Sequence, residues 1–171
     1  MKPQDPNNYW EQLERLEKLI RASELKAGVI FSFHGLILGL FFDRLEQLRP
    51  LFQQSPVFII LALLWMLCSW VSIFYCFKCF NPQIDKKFEK NVLFFRDAVY
   101  AFGSIEEYTE KIIEIFGEEK KFYSQLAQQI YVESRIIDKK FKSVQDAVKY
   151  FALSVVFVIV MIVVWLVQLY I

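Results

Sequence analysis

From Glu118 to Ile171 the chain contains neither glycine nor proline, so no strong helix breaker interrupts the stretch. Leu126, Ile130, Ile137, Phe141, Val144 and Val148 recur there at spacings of three, four or seven, which places one apolar stripe on a helix. The pattern then changes. Tyr150 to Ile171 carries no charge and consists mostly of Val, Ile, Leu and Phe. About 20 such residues, rising roughly 1.5 Å each, cross the hydrocarbon core of a bilayer. One helix running from water into membrane is the prediction.

The same reading applies upstream. Asp5-Pro6 predicts a helix start, an Asp cap followed by proline at the first helical position. Trp10, Leu13, Leu16 and Leu19/Ile20 form an apolar stripe among charged residues, and the helix is expected to continue into the next apolar segment. That segment, Ala27 to Phe42, is charge-free but only 16 residues long, short for a full crossing unless its flanks extend it and Lys26 snorkels to the interface. Gly28, Gly35 and Gly39 fall broadly on one side, and Gly35-x-x-x-Gly39 permits close helix approach. Residues 43–56 read as a short link punctuated by Pro50 and Pro56. Val57 to Phe77 is a second span, 21 residues without charge, ended by Lys78 and the Asn81-Pro82 break. Ser104-Ile105-Glu106-Glu107 is a capping box that starts a helix running to about Phe116, with Gly117 as its stop. Asn91 to Asp97 is compatible with an extended piece or a helical turn.

The predicted fold class is therefore an all-α membrane protein with about three transmembrane helices. A helical cytosolic domain lies between the second and third, and the last helix is continuous from cytosol into membrane. The expected boundaries are an N-terminal amphipathic helix over 1–26, spans at 27–42, 57–77 and 150–171, and a sensor domain over 78–149. Residues 78–149 hold 13 of the 20 Lys/Arg and 12 of the 19 acidic residues. The segment to Lys26 has five Lys/Arg and the 43–56 link two. The positive-inside rule then places the N-terminus and the central domain in the cytoplasm. Three spans agree with that parity, with the C-terminus on the far side of the membrane.

Composition narrows the chemistry. A net charge of +1 argues against a nucleic acid polymer as partner. The N-terminus lacks the apolar region of a signal peptide. Cys76 and Cys79 form a C-x-x-C that is either a metal or redox pair or, together with Cys68, a set of reduced thiols at a membrane helix. One histidine in the whole chain cannot assemble a zinc-type ligand set, and no Walker A or GxGxxG sequence is present. No enzyme, metal or cofactor is expected. His34 lies inside the first apolar segment, so it is a pore or helix-contact candidate. Arg135, Lys139, Lys140 and Lys142 cluster with Tyr131 and Phe141. Such a mixture either clamps a phosphate and stacks a base or is a solvated basic face near an anionic leaflet.

Four motifs in order carry a resemblance. Glu24-Leu-Lys26-Ala27 enters the first span and is similar to Asp-x-Lys-Ala. Asn91-Val-Leu-Phe-Phe95-Arg-Asp97 is similar to Asn-x-Leu-Tyr/Phe-Phe-Gly-Asp. Glu106-Glu107-Tyr108 follows, and Gln129-Ile130 through Arg135-Ile136 to Lys140-Phe141 precedes the last span. Together they resemble the Pycsar-type transmembrane effectors, small membrane proteins found beside bacterial nucleotide cyclases in anti-phage defence. Glu24, Arg96 and Phe141 depart from the family's Asp, Gly and Tyr. The resemblance implies a cytosolic domain that binds a cyclic nucleotide, a pyrimidine cyclic mononucleotide foremost. Binding would shift the spans so that the membrane is disrupted or depolarised and the infected cell is halted.

Motif position and chemistry nominate Asn91, Phe95, Asp97, Tyr131, Arg135, Lys139 and Lys140 for the ligand, with Glu24 and Lys26 as a membrane-interface motif. Membrane lipid and further copies of the chain are the other expected partners, since three spans make a poor pore. The alternative is a constitutive membrane-anchored adaptor whose amphipathic stripes dock a cytosolic partner. A third reading is a membrane-embedded enzyme using His34 or a carboxylate.

Overall fold

The computed structural model describes residues 5–81 and 90–170, and side chains to residue 168. Among the described residues the chain forms six α-helices and no strand: α1 Pro6–Asp43, α2 Leu45–Gln54, α3 Pro56–Phe80, α4 Phe95–Tyr100, α5 Ile105–Gly117 and α6 Glu119–Tyr170. Three of them, α1, α3 and α6, are long and apolar enough to cross a membrane. The chain divides into two compact units. One comprises Met1–Arg21 with Pro82–Lys139, the other Ala22–Asn81 with Lys140–Ile171. α1 and α6 each supply residues to both.

Helix α1 begins where the Asp-Pro pair predicts, with Asn7 N–H donating to Asp5 Oδ1 at 2.9 Å. It runs 38 residues without a break. The 16-residue apolar segment is thus one stretch of a much longer helix, and its own length does not limit it. At the other end of the chain, α6 is continuous for 52 residues.

Between α1 and α3 the structure departs from the sequence reading. The expected link contains the helix α2, with Pro50 inside it. Proline there forgoes the hydrogen bond to the Glu46 carbonyl. Leu48, Leu51 and Phe52 offset the loss by packing against Phe58, Ala62, Trp65 and Met161. Ser55 then caps α3, its Oγ accepting from Phe58 N–H at 3.3 Å, with Pro56 at the first helical position.

The core of the Ala22–Asn81 and Lys140–Ile171 unit has two apolar clusters. One joins Ala27, Ile30, Cys76, Cys79, Val144 and Ala147, flanked by Tyr75 and Phe151. The other joins Leu51, Phe58, Ala62, Trp65 and Met161, flanked by Ile37, Leu38, Phe41, Phe157 and Val158 among others. α1, α3 and α6 contribute to both. Cys68, Cys76 and Cys79 are free and buried.

In the other unit, Leu16, Val92, Phe94, Ile115, Leu126 and Ile137 are buried. The Ser104 capping box forms around α5. Ser104 Oγ accepts from Glu107 N–H at 3.1 Å, and the Glu107 carboxylate accepts from Gly103 N–H at 2.7 Å. Gly117 does not act as a left-handed stop. It is the last helical residue, no glycine has positive φ among the described residues, and the chain turns at Glu118, which is extended at φ −121° and ψ 107°.

Candidate functional site

Asn91 to Asp97 resolves as a knuckle leading into α4. Asn91 is buried, and its side chain is fully engaged. Its Oδ1 accepts from Leu93 N–H at 2.8 Å, an Asx turn, and its Nδ2 donates to the Gln125 carbonyl at 2.8 Å. The Asn91 N–H donates to Asp97 Oδ2 at 2.9 Å. Val92 completes the joint, its N–H donating to Gln125 Oε1 at 3.0 Å and its carbonyl accepting from Tyr108 OH at 3.1 Å. Asn91 and Val92 therefore fasten this turn to α6, Val92 also to α5, and Asp97 closes the turn on itself. Phe95, between them, is 70% exposed. Gln125 is the partner that motif reading missed, and a glutamine on a polar helix face gives no signal by itself.

On α6 the nominated residues part company. Tyr131, Arg135 and Lys139 recur every four residues, so they share one face of the helix. Tyr131 and Arg135 are exposed and Lys139 is half-buried. That face combines an aromatic ring, a guanidinium and an ammonium. Glu133 lies round the helix from it. Burial pushes its carboxyl above the ordinary value of 4.5, Gln129 pulls it partway back through a 2.7 Å hydrogen bond, and the charge of Glu17 raises it again.

Lys140 belongs to the opposite face and to the other unit. It is 3% exposed, and its Nζ lies 2.8 Å from Glu24 Oε1 and 2.6 Å from the Cys79 carbonyl oxygen. Cys79 is in the last turn of α3, where backbone carbonyls lack helical donors. The ammonium therefore caps α3 and neutralises Glu24 together. Its grouping with Arg135 and Lys139 as a solvent-facing cluster does not hold. The signal was present in the sequence, because Lys140 stands three residues after Ile137 and four before Val144, on the apolar stripe. Glu24 and Lys140 also join the first of the four motifs to the last. Lys26, two residues on from Glu24, is exposed.

His34 is buried in the Ala22–Asn81 and Lys140–Ile171 unit, edge-on to Phe151 with ring centroids 5.0 Å apart. Among the described residues its Nε2 has no hydrogen-bond partner, and the same is true of Ser69 Oγ.

The comparisons agree with the motifs. The family model described as Pycsar effector protein domain matches residues 8–167, nearly the whole chain. No curated protein and no solved structure matches. Three candidate spans and a family match that takes in parts of all three describe a multi-pass membrane protein. The chain belongs to the Pycsar effectors, as a membrane effector of anti-phage defence.

Proposed function

We propose that this effector is switched by a cyclic nucleotide, a pyrimidine cyclic mononucleotide foremost, and that the switched form disrupts or depolarises the bacterial inner membrane. The observation that carries the reading is the Tyr131, Arg135 and Lys139 face of α6, on the helix that also supplies the third candidate span. Tyr131 is suited to stack on a base, and Arg135 and Lys139 to hold the cyclic phosphate. Phe95 and the Asn91–Asp97 knuckle border the ligand in this reading, with Asn91 and Asp97 holding backbone shape. Lys140 acts as a latch with Glu24.

A ligand shifts an equilibrium only by binding one arrangement better than another. α1 and α6 are the elements shared by both units, so they are the ones through which such a preference reaches the spans. The N-terminus and residues 78–149 face the cytoplasm in this reading, following the distribution of Lys and Arg. Self-association accompanies the switch. At Gly28, Gly35 and Gly39 an added Cβ meets nothing within 4 Å. Packing inside the chain therefore does not require these glycines, and close approach of a second copy gives them a use.

The test is membrane potential, read with a voltage-sensitive dye in cells with and without a co-expressed pyrimidine cyclase. Cyclase-dependent depolarisation that is lost in Arg135→Glu and Lys139→Glu is expected. Correct insertion with no depolarisation under any cyclase, and no nucleotide binding by the purified protein, would favour the adaptor reading instead.

A further inference from the structure

The two apolar clusters of the Ala22–Asn81 and Lys140–Ile171 unit are separated by a layer in which every long helix changes character. Along α1, Ala27 and Ile30 belong to one cluster and Ile37, Leu38 and Phe41 to the other; His34 falls between them. Along α3, Trp65 and Cys76 belong to different clusters, and Ser69 and Ser72 fall between. Along α6, Phe151 and Phe157 do the same around Ser154. His34, Ser69 and Ser154 are each 1% exposed. Each of the three long helices thus carries a buried polar residue between its contributions to the two apolar clusters.

Part of this layer is closed. Ser154 Oγ donates to the Phe151 carbonyl at 2.8 Å, and Ser72 Oγ to the Ala147 carbonyl at 2.8 Å. His34 Nε2 and Ser69 Oγ have no partner among the described residues. A buried polar group left unpaired is costly, so each of these two atoms calls for a small polar ligand. The chemistry of the layer selects it. No carboxylate lies within the apolar stretches of these helices, and an apolar guest would leave both atoms unpaired. Water fits. It can donate to or accept from Nε2 in either imidazole tautomer, and it can bond the Ser69 hydroxyl.

We propose that His34 Nε2 and Ser69 Oγ bind water in the middle of this unit. On the effector reading above, from which this second half follows, the same layer is where the spans first admit water when the protein is switched on. Water already held by His34 and Ser69 is the point from which further water enters as the helices part.

His34 is the chain's one histidine, so selective ¹⁵N-histidine labelling of the full chain in lipid bilayers gives a single imidazole. Magnetisation transfer from water protons to that ring is the readout. Rapid transfer to Nε2 in the wild type is expected, lost in Ser69→Ala and retained in Ser69→Thr, which keeps the hydroxyl. Slow transfer that is indifferent to Ser69 overturns the water site. The gating half is read in liposomes carrying the full chain, with cyclic CMP or cyclic UMP added. His34→Leu is expected to keep nucleotide binding and lose the ion leak. A leak unchanged in that variant overturns the gating role. A wild type that neither binds nucleotide nor leaks removes the effector reading and the gating role with it, while the imidazole signal still decides the water site.

Discussion

Lys140 and Glu133 sit seven residues apart on α6 and meet opposite fates. Lys140 is buried but matched, by a carboxylate and by a helix-end carbonyl. Truncating it leaves Glu24 without its cation and the Cys79 carbonyl without its donor. Lys140→Ala is therefore expected to cost about 2–3 kcal/mol, and Glu24→Gln less because Glu24 keeps water contact. Reversible unfolding of the detergent-solubilised protein would measure both. Glu133 is half-buried with only an amide for company, and its carboxyl titrates above 4.5 in the folded chain. A folded carboxyl with a raised pKa holds its proton more tightly than the unfolded one. Its contribution to stability is present at low pH and falls as pH rises from about 4.5 through the folded value. Glu133→Gln keeps the hydrogen-bond acceptor and removes the charge, so at neutral pH it is expected to be more stable than wild type. The difference between the two proteins should vanish towards pH 4. An equal difference at every pH would rule the carboxyl out as its source.

At the scale of elements, the long helices were legible because their signals are redundant. The Asp5-Pro6 start, the uncharged runs and the absence of breakers after Glu118 all point the same way. α2 was not legible, since Pro50 reads as punctuation; only the packing of Leu48, Leu51 and Phe52 justifies a helix there. Gly117 marked the end of α5 correctly, although it does so without the left-handed turn that a terminal glycine permits. In the candidate site, the face of Tyr131, Arg135 and Lys139 follows from four-residue spacing. The Asn91 knuckle does not, because its partner Gln125 is 34 residues away and carries no pattern of its own. The continuity of α6 makes a mechanical prediction. Gln145 is exposed on it, and proline there removes one backbone hydrogen bond and clashes with the preceding turn, at roughly 3 kcal/mol or more. Gln145→Pro is expected to bind nucleotide as wild type does while losing depolarisation; a variant that still depolarises would mean α6 need not be rigid at that point.

For the molecule as a whole, the three cysteines are free and buried, which leaves single added cysteines as clean reporters of sidedness. Lys120→Cys is expected to react with an impermeant maleimide only from the cytoplasmic face, and Gln168→Cys only from the opposite one. Labelling of both from one side would contradict a three-span path. The Glu24–Lys140 ion pair bears on how such a molecule is made. Its partners are 116 residues apart in the chain, and Lys140 reaches the α3 carbonyl only after α1 and α3 have been synthesised. Contacts of such long range close late. During translation Glu24 and the end of α3 therefore lack the Lys140 ammonium until that part of α6 has been made, and a chain stalled before Lys140 lacks the residue that joins them.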